Sequence, residues 1–311
     1  MPGHAAPAEA MVIMRKFPYA LVDVFTSVPL AGNQLAVVTQ SGDLTDTEMQ
    51  ALAKETNLSE TTFIVQRDPF VERERGMRVR IFTPAEELPF AGHPTLGTAA
   101  YLRTTSSFPI QRVELELNVG KITVLFEERE NGPAFGEMLQ REPEFGSIHS
   151  REDVARMAGL DRDDFHDDLP VQTVSTGMKF AIAPVRTMAA MRRLGERFVW
   201  QRALEYLKKS DAKFIYFVCK ETDSDQAHIH ARMFFYNGED PATGSAAGCA
   251  AAWMVKYGVA ASGERVMIEQ GVEMGRPSEM YVRAESQGDK VVNVRVGGHA
   301  VVIAHGEFQL P

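Results

Sequence analysis

Thiols are nearly absent from this chain. Two cysteines, Cys219 and Cys249, stand among 311 residues, neither in a CxxC spacing. That excludes a disulfide framework and argues against a zinc–thiolate centre. Such usage fits a reducing compartment, and a cytoplasmic protein is expected. No apolar run reaches ~18 residues, the length a helix needs to cross a bilayer. The opening MPGHAAPAEAMVI lacks the charged start and apolar centre of a signal peptide. Residues 1–14 are read as an N-terminal extension, with Met14 as an alternative start. The formal charge is −9, and no basic cluster interrupts the acidic balance. From Arg186 to Lys209 the cations interleave with apolar residues at helical spacing, the pattern of a solvated helix face. Nucleic acid and anionic membranes are therefore not expected as partners. GxxxxGK[ST], GxGxxG and GxSxG are all missing, which removes the phosphate loop, the dinucleotide turn and the nucleophile elbow. The acidic stretch Asp161–Asp168 does not follow EF-hand spacing. His228 and His230 share a strand face but lack a third ligand nearby in sequence. No metal and no cofactor are expected, so the chemistry falls to carboxylates, histidine and serine.

What is present suits a folded α/β protein, with 44% hydrophobic and 24% charged residues. Strand-like runs recur from end to end. They include Tyr19–Phe25, Leu35–Thr39, Thr61–Gln66, Met77–Thr83, Arg112–Leu117 and Lys121–Glu127. Later runs are Val171–Thr176, Lys213–Cys219, His228–Phe235, Arg265–Gln270, Glu279–Ala284, Val291–Val296 and Ala300–His305. Thr45 and Glu48 form a capping box that opens a helix to about Thr56. Ser150 and Asp153 open another to about Ala158, with Gly159 at its end. Residues Arg193–Lys208 read as one amphipathic helix. Two further helices, beginning near Pro94 and near Ala242, are rich in Ala, Gly, Ser and Thr. They have no polar face early on, the mark of a helix buried on all sides.

The chain repeats itself. Pro94-Thr95-Leu96-Gly97-Thr98-Ala99-Ala100 and Pro241-Ala242-Thr243-Gly244-Ser245-Ala246-Ala247 share the pattern P-x-x-G-[S/T]-A-A. A strand with R-x-F precedes each, at Arg80–Phe82 and Arg232–Phe234. The copies lie close to half a chain apart, which implies two related halves, each a strand set around one central helix. The first half is placed at 15–127 and the second at 128–299, with the strand at 300–308 crossing back to the first. Each repeat sets a polar residue before a helix start: His93 before Pro94, and Asp240 before Pro241. Free N–H groups at helix N-termini suit a carboxylate. Gly97 and Gly244 would admit a ligand close to the backbone, and Ser245 adds a hydroxyl. Facing halves would bring His93 and Asp240 to one cleft as acid–base candidates. Taken singly, Asp240 also reads as a helix cap and His93 as a structural histidine.

The blocks DVFTSVPLAGNQLAVV, LSETTFIV, FTPAEELPFAGHPTLGTA, VSTGMKFAIAPV, EDPATGSAAGCAA and QGVEMGRPS resemble the PhzF-like phenazine-biosynthesis family from about Arg15 to Gln309. The resemblance implies a diaminopimelate epimerase-like fold: two similar halves, each a strand roll around a central helix. It implies an isomerase that moves a proton between carbons of a small carboxylic acid, such as trans-2,3-dihydro-3-hydroxyanthranilate. The proton carrier in the S-E-T block corresponds to Glu60, which composition alone would not single out among 42 acidic residues. The active-site His and Asp correspond to His93 and Asp240, and the substrate-carboxylate contact to Gly244 and Ser245. A homodimer is expected. The related two-base epimerases carry cysteines at the helix starts, where this chain has His93 and Asp240. A cysteine-dependent epimerase and a non-catalytic binding protein on the same scaffold are the alternatives.

Overall fold

Period-2 alternation and β-branched residues build more of this chain into strands than into helices, and their hydrogen bonding shows how the halves relate. The computed structural model describes residues 14–108, 110–127, 133, 135–235 and 238–311. Within these, one set of strands runs side by side as Ala300–Leu310, Arg15–Val24, Asn33–Val38, Glu60–Val65, Met77–Phe82, Arg112–Leu117, Gly120–Glu127 and Phe135–Leu139. A second set runs as Glu144–His149, Val171–Ser175, Lys179–Val185, Phe214–Cys219, Ile229–Phe235, Val266–Gln270, Ser278–Gln287 and Lys290–Gly298. Both sets follow one sequence of orientations: antiparallel, antiparallel, parallel, antiparallel, parallel, antiparallel, antiparallel. The sets join where Phe135–Leu139 pairs with Lys290–Gly298. The first set thus takes one strand, Ala300–Leu310, from beyond the second set's stretch of chain, whereas the second set is continuous in sequence. The final strand lies against the first, Arg15 opposite Leu310.

The boundary expected at residues 127 and 128 falls beside residues 128–132, which lie outside the described residues, as does the extension before Met14. The strand that follows, Phe135–Leu139, is hydrogen-bonded to both sets. It was hidden in the sequence among Gly132, Pro133 and Pro143. Its Gly136 leaves room for the side chains of Leu96 and Phe126. The mixed α/β architecture of two similar halves is the one the sequence implied.

Each set wraps a helix whose first turns are buried on every side. Gly92–Thr105 fills the first and Gly244–Lys256 the second. The observed starts differ from expectation. The first helix begins two residues before Pro94 and the second three residues after Pro241. Asp240 holds the Thr243 hydroxyl instead of capping the helix backbone, so the chain stays extended past Pro241. The glycines also act otherwise than expected. A Cβ at Gly97 would strike the side chains of Val24 and Leu35, and one at Gly244 would strike the Phe25 ring. At both positions the missing side chain admits the protein's own core.

The capped helices appear as read, at Asp46–Thr56 and Arg151–Ala158. The single helix expected over Arg193–Lys208 is two, Met188–Arg197 and Trp200–Leu207. Phe198 breaks it by turning inward to stack on Phe234 at 4.5 Å between ring centres, a burial that outweighs continued helix. A short helix at Pro69–Arg75, capped by Asp68, escaped the sequence reading. No helix among the described residues is long and apolar enough to cross a membrane.

The halves also repeat an ion pair. Arg80 grips Glu87 with two hydrogen bonds of 2.8 and 2.7 Å, and Arg232 grips Glu239 with two of 2.6 and 2.7 Å. Each ties a strand to the two-residue strand that folds back just before the central helix, so each holds a helix entry in place.

The helix starts meet head-on. A Cβ on Gly92 would lie 2.7 Å from Ser245 N and 2.8 Å from Gly244 C. Gly92→Ala must push the halves apart, because backbone and not a flexible side chain blocks the space. A loss of about 2 kcal/mol in unfolding free energy is expected, measurable by urea denaturation. Gly42→Ala, where nothing lies within 4 Å, is the control and should change little.

Candidate active site

The junction of the helix starts forms the floor of a cavity of about 60 Å³ between the halves. Ser59, Glu60, Leu88 and Ala91 line it from the first half. Met178, Phe180, Phe214, Met233, Asp240 and Ser245 line it from the second. One wall is carboxylate and hydroxyl, the other aromatic and aliphatic. At the mouth, Lys213 approaches Glu86 at 3.4 Å across the two halves, an exposed pair of small energetic weight.

Glu60 opens the strand Glu60–Val65 and is carried in by the parallel pairing of Leu35 with Glu60. His93 is the second residue of the first central helix, and Asp240 lies just before the second. The structure brings all three together. His93 Nε2 stands 3.6 Å from Glu60 Oε2. These two atoms are fully buried, and neither has a hydrogen-bond partner within the described chain. Buried polar atoms left open in this way are rare and mark places where something else binds.

Asp240 is treated differently. Its Oδ2 accepts from Thr243 Oγ1 at 2.6 Å, and its Oδ1 accepts from Asn33 Nδ2 at 2.9 Å and Ser59 Oγ at 3.3 Å. Burial pushes Asp240 up to about 6, against the pull of these donors. Glu60 is raised well above its ordinary value by burial and then by the charge of Asp240. Of two buried carboxylates in mutual repulsion, the one with three donors keeps the negative charge and the one without holds the proton. His93 is driven down to about 3 by burial, partly opposed by its bond to the Gln34 main chain. Burial thus favours the neutral imidazole of His93 and makes Glu60 hold its proton more tightly than an ordinary carboxyl.

Asn33 and Gln270 have parts that residue-type reasoning missed. Asn33 Nδ2 reaches Asp240 Oδ1, the Ala242 carbonyl at 2.9 Å and His93 Nδ1 at 3.2 Å, bridging the two repeat residues. Gln270 is fully buried. Its Nε2 donates to the Asp240 carbonyl at 2.7 Å, and its Oε1 accepts from Tyr216 Oη at 3.0 Å and Thr243 N at 3.2 Å. The only available signal was their place in the quoted motif blocks. Ser245 lines the cavity, while Gly244 before it packs against the Phe25 ring.

The other candidates lie apart from this site. Cys219 and Cys249 are buried thiols, both pushed up to about 11 by desolvation, which disfavours the thiolate that a base would need. His228 Nδ1 accepts from Met267 N at 3.1 Å and does not join His230. The His230 ring nitrogens meet Glu269 at 2.8 Å and Glu273 at 3.1 Å. These carboxylates push its imidazole up to about 9 in spite of burial. Asp223 brings a further carboxylate to this group, with ligand atoms of Asp223, His230 and Glu269 all within 4.8 Å of one another, and Arg192 and Arg232 stand beside its carboxylates.

This geometry has known relatives. The model of the family described as phenazine biosynthesis-like protein (PhzC–PhzF) matches residues 22–306. An uncharacterized isomerase of Mesorhizobium japonicum is 36% identical over 301 residues, covering 93% of this chain and 98% of its own. A trans-2,3-dihydro-3-hydroxyanthranilate isomerase of Pseudomonas chlororaphis is 35% identical over 298 residues, covering 94% and 99%. The crystal structure of a Bacillus anthracis phenazine biosynthesis protein of the PhzF family superposes with a TM-score of 0.80 at 27% identity, covering 96% of this chain and 99% of that one. With the match running through both halves and the cavity between them, this chain belongs to the PhzF-like isomerase family.

Proposed function

We propose that this chain is a cofactor-independent isomerase that moves one proton between two carbons of a small carboxylic acid, with Glu60 as the carrier. The substrate class is that of trans-2,3-dihydro-3-hydroxyanthranilate, the compound in the name of the Pseudomonas relative. The observation that carries the reading is the open pair Glu60 Oε2 and His93 Nε2, buried and partnerless beside Asp240 on the cavity wall.

The substrate carboxylate sits at the start of the second central helix, against Ser245, where free N–H groups and the helix dipole favour an anion. The aromatic wall takes the ring. Ionised Glu60 removes a proton from carbon, and the electron pair passes into the conjugated system next to the carboxylate. Glu60 then delivers a proton to another carbon, which restores its ionised form. A carboxyl with a raised pKa suits both half-steps, since it binds the proton firmly and remains able to give it back. Charge developing on the substrate faces helix N-termini already oriented before reaction.

Glu60→Gln keeps the shape and removes the titrating group. Turnover of trans-2,3-dihydro-3-hydroxyanthranilate should fall at least ~100-fold, and deuterium entry from heavy water should fall in parallel. A variant that exchanges and isomerises at the original rate would sink the assignment. Because catalysis needs ionised Glu60, kcat/KM should rise with pH through a midpoint well above the ordinary carboxylate value of 4.5.

The same shift has a stability counterpart. The folded protein holds protons on Glu60 and Asp240 at pH values where the unfolded chain has released them, so stability declines as pH rises through the folded values. Glu60→Gln should therefore melt at a higher temperature than the original at pH 8, with the advantage vanishing near pH 4. Equal Tm at both pH values would contradict the raised pKa.

Ser245→Ala tests the carboxylate position. Losing one hydrogen bond should weaken binding of anthranilate, used as a probe, by about 1 kcal/mol in titration calorimetry. Unchanged affinity would place the carboxylate elsewhere.

A further inference from the structure

Residues 270–278, between the strands Val266–Gln270 and Ser278–Gln287, touch both halves of the site. At one end Gln270 pins the Asp240 main chain. Gly271, at φ +77°, lies so close to the Pro241 carbonyl that a Cβ would sit 2.6 Å from it. At the other end the chain crosses to the first half. Arg276 Nε donates to the Gly32 carbonyl at 2.8 Å, and its Nη2 donates to the Ala31 carbonyl at 2.7 Å and to Asp23 Oδ1 at 2.6 Å. Gly32 N donates back to the Pro277 carbonyl at 3.0 Å.

The receiving surface is rigid. Asp23 is fully buried, and its second oxygen accepts from Leu30 N at 2.7 Å. Gly32 has φ +70°, and a Cβ there would lie 2.4 Å from the Val24 carbonyl. The residue after Gly32 is Asn33, whose amide spans Asp240, Ala242 and His93. A continuous line of short contacts thus runs from the Arg276 guanidinium to the two repeat residues of the site.

We propose that Arg276 is a positioning residue: it fixes Gly32, and through it the Asn33 amide, so that Asp240 and His93 are held in register across the two halves. The proposal rests on the reading of Glu60, His93 and Asp240 as the reacting site. A guanidinium suits the task because its planar fork serves three acceptors at once, which an ammonium on a flexible stem does not. The half-buried guanidinium also supplies the opposing charge for Asp23, which is fully buried. Arg276 touches none of the cavity-lining groups, so its effect on chemistry passes through Asn33.

The test is a double-mutant cycle of Arg276→Lys with Asn33→Ala, with Asp23→Asn as a second way to loosen the same grip. Arg276→Lys and Asp23→Asn should each lower kcat on trans-2,3-dihydro-3-hydroxyanthranilate by about 10- to 100-fold, the scale of a small misplacement of reacting groups. KM should change less. In the Asn33→Ala background, Arg276→Lys should cost no further kcat, because residues acting through one contact are not additive. A second readout needs no substrate. NMR titration of the Asp240 carboxyl carbon should give a higher midpoint in Arg276→Lys than in the original, since the Asn33 amide holds Asp240 down. Glu60, His93, Tyr216 and Glu239 also face Asp240, and all remain in place in the variant.

Equal losses of kcat in both backgrounds with an unmoved Asp240 titration would overturn the proposal and leave Arg276 as a strut between halves. Failure of both Arg276→Lys and Asp23→Asn to fold would do the same. If the original protein does not turn over the compound, the substrate reading fails on its own, and the Asp240 titration still decides the role of Arg276.

Discussion

Two buried helices meet here by their N-termini, and the rest of the molecule follows from that contact. Each N-terminus carries partial positive charge on its free N–H groups, so setting Gly92 against Gly244 and Ser245 opposes like with like. The arrangement persists because negative groups gather at the junction and two strand sets clamp it from outside. Asp240 is such a group, and the carboxylate of the proposed substrate would be another. Pro94, the third residue of its helix, helps in a smaller way, since it removes one N–H that would otherwise need a partner. A position that is costly for the empty protein is a good one for an anion.

The same contact explains why two neighbouring buried carboxylates have different surroundings. Glu60 and Asp240 are both buried, yet the donors converge on Asp240 alone. Asn33, Ser59 and Thr243 come from three separate stretches of chain, two in the first half and one in the second. The charge distribution therefore depends on how the halves are docked, and neither half contains it alone.

Much of this was legible in the sequence, for identifiable reasons. The repeat around Pro94 and Pro241 announced paired halves, and the small residues of TLGTAA and TGSAAGCAA announced buried helices. Capping chemistry located the helices after Thr45 and Ser150 because it depends only on neighbours. What could not be read depends on distant packing. Phe198 breaks a helix whose local pattern continues, because Phe234 offers it a stacked ring. Phe135–Leu139 pairs with strands on both sides, although its own flanks look like loop. Gly97 and Gly244 looked like openings for a ligand and are instead contacts with Val24, Leu35 and Phe25. Glu60 needed the family resemblance, since nothing local distinguishes it. Asn33 and Gln270 are ordinary amides until the fold surrounds them with acceptors.

The return of Ala300–Leu310 to the first strand set bears on how the chain assembles. The strand Arg15–Val24 is bordered by Asn33–Val38 on one side and by Ala300–Leu310 on the other. During synthesis, which proceeds from the N-terminal end, the first strand set is made early but keeps a bare hydrogen-bonding edge until the last strand leaves the ribosome. The second set has its outer strand, Glu144–His149, available from the start of its own synthesis. Two halves of one topology thus mature at different moments. The earlier-made half waits longest with an exposed edge, the condition under which nascent strands pair with the wrong partner. A chaperone with a preference for open sheet edges would find its substrate in the first half of this chain, well before the active site exists.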